Sequence, residues 1–359
     1  LLYTVIRIYL YLIGFCFLWM IQNSICSICS ICSCSVNEEL QINCHENNIV
    51  DVTMFIDLNN LEDLNLSKNV LRTFDNSLLE ILPTMVSLNL SYNHINSVEH
   101  TMNQTILKIN MLDLSHNNIS SLPKKFSELL INLQYLDLSF NRIQSLQDCN
   151  LIHLNSLKVL YVNNNFLVTL NIQILPKTLI KLYIGYNQIM EINNLSHIEV
   201  LSIEHNKISQ LYSNLTVNSL QYMNISGNIL SSFPNILFKN LKILDISNNK
   251  FTYIPEEISI KNFPLLLQLK VNKNPIQNLT ILSDLKLNSF DASNINKLKS
   301  IEKDTLANLR SLSKKLDLSN NQFSYVTRKL IVHNNSLSTY NINLQGNPFK
   351  CNCTLQWML

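Results

Sequence analysis

Glycine is scarce in this chain, four in 359 residues, and none stands in the glycine-rich pattern that cradles a phosphate. Charge is scarce too. Asp, Glu, Lys and Arg make up 14% of the residues and the net charge is +2. No basic run interleaves with aromatics, which weighs against nucleic acid as a partner. There is no G-x-S-x-G and no H-E-x-x-H, and the eight histidines do not group with cysteines or carboxylates at ligand spacing. These absences exclude the common hydrolase and metalloprotease chemistries, so neither catalysis nor a cofactor is expected. No linker rich in proline or serine interrupts residues 61–349, which points to one elongated domain although the length alone suggests two.

What the chain has in abundance is one apolar frame, written again and again. From Leu61 it reads L-E-D-L-N-L-S-K-N-V-L, with Leu61, Leu64, Leu66, Asn69 and Leu71 in the recurring slots. The same slots return as Met85, Leu88, Leu90, Asn93 and Ile95, then Ile109, Leu112, Leu114, Asn117 and Ile119, then Leu133, Leu136, Leu138, Asn141 and Ile143. The asparagine continues through Asn165, Asn187, Asn206, Asn228, Asn249, Asn274, Asn321 and Asn347. Between Asn274 and Asn321 one further unit keeps the frame with Phe290 and Ala292 in the apolar slots and Ile295 in place of the asparagine. That makes thirteen units, and a self-similar period of this length is the mark of a leucine-rich repeat.

The residue types follow from what one unit must do. Alternation of period two in x-L-x-L-x is a short strand with one buried face. The asparagine lies where the chain leaves the strand, and a buried amide there satisfies backbone groups that the turn leaves unpaired. A structural rather than catalytic role is therefore expected for all twelve. No unit can bury its apolar face alone, so neighbours stack into a continuous parallel sheet. Thirteen strands at about 4.8 Å run roughly 60 Å, a surface suited to a macromolecule. The expected fold is an α/β solenoid, a leucine-rich repeat horseshoe with a parallel β-sheet on the concave face and short strands, turns or short helices on the convex face. Leu122-Pro123, Phe233-Pro234 and Ile254-Pro255 place extended or irregular backbone on that outer path.

Residues 1–24 are apolar with an early positive charge and read as a signal peptide or a membrane anchor. A cysteine-rich cap is expected over 25–48, the repeat array over 49–349, and the start of a second cap over 350–359. Cys26, Cys29, Cys32, Cys34 and Cys44 crowd the entrance to the array, and Cys351 and Cys353 follow its last unit. Cysteine-bridged caps cover the apolar ends of exported solenoids. A metal site at the C-x-x-C spacing of Cys26, Cys29 and Cys32 is the alternative. The segment C-S-I-C-S-C-S-V-N-E-E-L-Q-I-N-C resembles the amino-terminal flank of extracellular leucine-rich repeat proteins, and N-P-F-K-C-N-C-T-L-Q-W is similar to the carboxy-terminal flank of Toll-like receptors and Slit-type proteins. The first resemblance implies disulfides Cys29 to Cys34 and Cys32 to Cys44. The second implies partners for Cys351 and Cys353 beyond Leu359, in a following segment expected to bring membrane attachment, by a helix or a lipid anchor, or else a secreted tail.

Sequons at Asn103, Asn214 and Asn278 fall in connecting segments and are candidate glycan sites, whereas those at Asn65, Asn89 and Asn224 are products of the L-N-L-S frame. Tyr135, Tyr161 and Tyr183 occupy outward strand slots; Tyr92, His116, Phe140, Tyr186 and His205 stand just beyond the strands. These eight are candidate ligand-binding residues, since aromatics dominate interface energetics, or else they pack on one another to cover the sheet edge. Asp113, Asp137, Asp245 and Asp317 recur in the common L-D-L-S form. Cys149 reads as a buried apolar thiol. The resemblance to Toll-like receptors and chaoptin-like adhesion proteins implies a cell-surface recognition domain for a protein or glycolipid ligand, with pairing of two chains. A secreted matrix-type binding protein, or an intracellular scaffold regulating a phosphatase or GTPase, are the other readings. The expected location is the extracellular side of the plasma membrane, or secreted.

Overall fold

The computed structural model describes residues 27–350 apart from 37–39, 56–57, 59, 76–83, 100–107, 124–125, 129, 171, 193–194, 280–284, 302–314 and 326–340. The leader at 1–24, Cys26, Asn103, Cys351 and Cys353 lie outside the described residues. The chain forms two compact units, Leu1–Asn165 with Gln173–Thr178, and Phe166–Ile172 with Leu179–Leu359.

In the first unit, β1 (Ser33–Val36) pairs antiparallel with β2 (Leu40–Asn43), and β2 then runs parallel to β3 (Leu61–Asn65). Beyond it come β5 (Ser87–Asn89), β7 (Met111–Asp113), β8 (Tyr135–Asp137) and β9 (Val159–Tyr161), all parallel. On the return side, β4 (Thr73–Asp75) and β6 (Ser97–Glu99) make a two-stranded parallel sheet. The second unit is a parallel sheet in chain order: β10 (Lys181–Tyr183), β11 (Val200–Ser202), β12 (Tyr222–Asn224), β13 (Ile243–Asp245), β14 (Gln268–Lys270), β15 (Ser289–Asp291), β16 (Lys315–Asp317) and β17 (Asn341–Asn343). From β3 onward the two sheets hold one strand for each of the thirteen units read from the frame.

Each strand is short because only its central residue is needed inward. Leu64, Leu88, Leu112, Leu136 and Leu160 face one another in register and are fully buried, and Leu182, Leu201, Met223, Leu244, Leu269 and Phe290 do the same in the second unit. Burying one such side chain contributes about 2 kcal/mol, and no coil could collect it without a neighbour. The residue five positions after each strand centre is the asparagine slot in all thirteen coils, Leu64 to Asn69 as much as Ile342 to Asn347. The return path varies in length instead. It contains 3-10 turns such as Thr53–Phe55, Gln147–Cys149 and Leu151–His153, and the described residues include no α-helix longer than the single turn at 27–29. Phe233, Phe238 and Phe263 fill the second unit behind its sheet, the last two stacked at 4.7 Å and 9°. The prolines at 123, 234 and 255 follow buried Leu122, Phe233 and Ile254.

The ladder asparagines are buried, Asn347 at the end only partly, and each works on two coils. Asn141 Nδ2 donates to the Leu138 and Ser139 carbonyls of its own coil at 3.1 and 3.2 Å, and to the Leu114 carbonyl of the coil before it at 2.9 Å. Its Oδ1 accepts from the Ile119 amide at 3.0 Å. Asn93 and Asn117 repeat the pattern one and two coils earlier; Asn206, Asn228 and Asn249 repeat it in the second unit. At Ile295 the slot is apolar and fully buried, and its own N–H donates to Asn321 Oδ1 at 2.8 Å.

The cap disulfides are Cys29–Cys34 and Cys32–Cys44, the pairing implied by the resemblance. They tie the helical turn at 27–29 to β1 and to the end of β2, and Ile28, Leu40 and Ile42 are buried beneath them. With Cys29 and Cys32 bridged, the metal alternative loses two of its three cysteine ligands.

Two outcomes follow. Asn141→Ala leaves the Ile119 amide without a partner, while the Leu114, Leu138 and Ser139 carbonyls each keep a second donor, from Asn117, Asn165 and the His116 amide, and it is expected to cost about 1–3 kcal/mol. Urea unfolding measures this, and a loss under 1 kcal/mol would mean that water replaces the amide. Removing Cys32 and Cys44 together, as Ala, is expected to cost about 2–4 kcal/mol, read as a lowered Tm that the wild type shows only in reductant.

Candidate functional site

On either side of each buried strand centre one residue lies on the outward face, Ser202, Asp245 and Asp317 being covered there by their neighbours, so each sheet carries two outward columns. In the first unit one column holds Met111, Tyr135 and Val159 and the other Asp113, Asp137 and Tyr161. The Tyr135 and Tyr161 rings meet at 5.4 Å and 47°. Tyr135 Oη donates to Asp137 Oδ2 at 3.5 Å. Burial pushes the Tyr135 phenol well above its ordinary range, and the charge of Asp137 pushes it further. Burial likewise raises the Asp137 carboxyl, against the hydrogen bonds from Ser139 that favour its charged form. The result is a half-buried, uncharged aromatic pair flanked by apolar Met111 and Val159. In the second unit Tyr183 shares the strand β10 with Lys181, and Val200, Tyr222 and Ile243 form an apolar row on the neighbouring strands. Lys270 pairs with Asp245 at 3.1 Å across that sheet.

The recurring aspartates have a local task. Asp137 Oδ1 accepts from the Ser139 amide at 2.8 Å and from its hydroxyl at 2.6 Å, and Asp245 and Asp317 bind Ser247 and Ser319 in the same way. This side-chain turn closes the exit from the strand. Asn65, Asn89 and Asn224 make it with Ser67, Ser91 and Ser226, so the serine of the sequon is occupied in the turn. Asn214 and Asn278 are exposed. Cys149 is buried, its Sγ donating to the Leu146 carbonyl at 2.9 Å.

The other five aromatics stand apart from the strand tyrosines. Tyr92, His116, Phe140, Tyr186 and His205 each occupy the position just before a ladder asparagine, and there φ is +52° to +55°. Left-handed backbone is unusual for such bulky residues; Asn248, Asn294 and Asn320 hold the equivalent place in other coils. The conformation throws the side chain out along the sheet edge, where rings from successive coils stack. His116 lies between Tyr92, at 3.9 Å and 9°, and Phe140, at 4.0 Å and 11°. Tyr186 stacks on His205 at 4.4 Å, and that imidazole lies over Gly227, where a β-carbon would approach Nδ1 to 2.7 Å. Tyr92, Phe140 and Tyr186 remain about half exposed. Sequence reasoning set three on the strands and five just beyond them but offered all eight as ligand-binding candidates; the place before the asparagine is what marks the five that line the edge.

A further group was not legible from local sequence. Lys250, Lys273 and Lys297 come from successive coils of the second unit and line one open cleft of about 470 Å³. Among the described residues no cluster of His, Cys, Asp and Glu could hold a metal ion, and no helix is long and apolar enough to cross a membrane.

Family models described as leucine rich repeat match residues 107–167, 240–260 and 82–98. Lumican of Homo sapiens is 31% identical over 163 residues, 41% of this chain and 46% of that protein. Lumican of Oryctolagus cuniculus is 31% identical over 161 residues, covering 81% of that sequence. Against the human and bovine lumicans the chain spans less than half of their length. Among solved structures, the functional domain of InlJ from Listeria monocytogenes aligns with a TM-score of 0.61 at 20% identity, covering 86% of this chain and 63% of that one. TLR13 in its complex with ssRNA13 aligns at 0.59 and 22%, covering 85% and 56%, and the Drosophila Toll–Spatzle complex at 0.56 and 20%, covering 87% and 51%. At these identities the likeness is one of fold.

The stacked imidazole makes acid stability testable. Burial lowers the His116 pKa below 6.5, with Asp137 and Asp113 opposing. An unfolded chain takes up a proton at a pH where the folded ring does not, so the contribution is whole above the unfolded value and is lost as pH falls through the lower, folded one. Thermal melts at pH 7.5 and 5 are expected to separate more for the wild type than for His116→Phe, which keeps the stack. Equal separations would show that the ring gains no stability from staying neutral.

Proposed function

The chain belongs to the leucine-rich repeat proteins, and from that premise we propose that it is a non-enzymatic recognition module, the ligand-binding part of a cell-surface receptor or adhesion protein. The observation that carries the reading is the Tyr135 and Tyr161 pair, set on rigid strands with Met111 and Val159 beside it. Rings held this way lose little conformational entropy on binding, and aromatic anchors supply much of the energy at protein interfaces. The ligand is a protein or a glycolipid with an apolar group to lay against the rings. Ligand binding then promotes pairing of two chains. Placement outside the cell is supported by the two cap disulfides, which persist in oxidising compartments and argue against an intracellular scaffold.

A second reading, a secreted matrix-type binding protein, is favoured by the stretch shared with lumican. Transcript sequence downstream of the Leu359 codon distinguishes the two: a membrane helix selects the receptor, an early stop codon the secreted form.

The recognition surface itself is tested with the chain secreted from eukaryotic cells as a tagged fusion and bound to intact cells of its source. The double variant Tyr135→Ala, Tyr161→Ala is expected to lose about 2 kcal/mol, roughly thirtyfold in Kd. Tyr183→Ala reports on the second unit, and Tyr212→Ala, exposed on a return segment, serves as the control. Unchanged binding by the double variant would remove the outward sheet face from consideration.

A further inference from the structure

Six of the described lysines meet a side-chain acceptor. Lys68 lies 3.5 Å from Glu46, Lys270 3.1 Å from Asp245 and Lys315 3.0 Å from Asp317, while Lys158, Lys207 and Lys242 each donate to a glutamine one coil earlier. The three lysines of the cleft in the second unit do not. None of their ammonium groups pairs with a carboxylate among the described residues, and no Asp or Glu lines the cleft.

The repeat brings them together. Lys273 sits in the left-handed position before ladder residue Asn274, with φ of +56°, and Asn248 and Asn294 hold that position in the flanking coils. Lys250 follows ladder residue Asn249, and Lys297 lies two residues beyond the Ile295 slot. Asn249 and Asn274 spend their amides on backbone carbonyls and Asn294 donates to the Ser293 hydroxyl, so the groups presented to solvent are the three ammoniums and the amides of Asn248 and Asn296. Three like charges from successive coils, lining one cleft, repel one another unless an anion joins them.

The size of the cleft says what kind of anion. The cleft spans three coils and holds about 470 Å³, far more space than one sulfate or phosphate fills. A chain carrying anions at intervals can reach all three. No aromatic side chain lines the cleft, so the stacking platform on which single-stranded nucleic acids depend is missing. Asparagine amides both donate and accept, which suits the hydroxyls of a sugar. We propose that Lys250, Lys273 and Lys297 form a binding site for a sulfated polysaccharide at the edge of the second unit. The site shares no residue with the tyrosine face and stands whether or not that face binds a ligand.

The test uses the full secreted chain and a size-defined heparin oligosaccharide, with Kd measured from 50 to 200 mM NaCl. The triple variant K250Q, K273Q, K297Q is expected to bind at least tenfold more weakly. Its log–log salt dependence should be shallower by about 2, taking roughly 0.7–0.9 per neutralised anion from polyelectrolyte behaviour. A control triple K158Q, K181Q, K207Q, of exposed lysines outside the cleft, should bind like the wild type. Lys273→Glu alone, at the centre of the row, should weaken binding threefold or more and guards against a folding defect in the triple. The proposal is overturned if the cleft triple keeps the wild-type Kd and salt slope, or if the control triple falls as far. Desulfated heparin should not bind, and oligo-dT of equal charge should fail to displace heparin at equal concentration; either result reversed would sink the assignment to sulfated sugar.

Discussion

The structure depends on one hydrogen-bonding arrangement, a buried carboxamide that donates into two coils and accepts from one of them. Leucine packing alone would let one coil slide on the next, because apolar contact has no direction. The amide removes that freedom. At Asn141 the donors are shared between Leu138 and Ser139 of its own coil and Leu114 of the coil before, and Oδ1 accepts from Ile119 of that earlier coil, so a slip of the coils would break both bonds to the neighbour at once. Directionality at this slot keeps the outward columns in register, and register is what sets Tyr135 beside Tyr161 and Lys273 between its two neighbours.

Much of this was legible. The frame from Leu61 gave strand centres, slot and unit number, because burial of one face with period two and a turn needing an amide leave a readable trace. It was even visible at Ile295, where the slot changed but Phe290 and Ala292 kept their places. The cap pairing was available through resemblance, since four cysteines admit three connectivities and spacing does not choose among them.

What was not legible depends on backbone sign and on contacts between coils. Nothing in the residue types of Tyr92 and Phe140 announces left-handed backbone, which such bulky residues avoid. Only the recurrence of asparagine and glycine at the same place elsewhere, Asn248 and Gly227 among them, hints at it. The lysine cleft was hidden for a different reason. Lys250, Lys273 and Lys297 fall at three different offsets from their slots, so no single column of the frame collects them, and a scan for basic runs sees three isolated residues. Curling the chain into coils converts distance along the sequence into adjacency across an edge.

The unvarying five-residue step from strand centre to slot has a consequence for how such a gene can change. An extra codon between Leu136 and Asn141 would rotate the carboxamide out of the interior and carry Phe140 off its stack, whereas one in the return segment merely lengthens an arc. Insertions and deletions accepted over descent should therefore gather on one flank of the molecule and spare the other. The uneven distances already present, nineteen residues from Asn187 to Asn206 against twenty-five from Asn249 to Asn274, all fall on the permissive side.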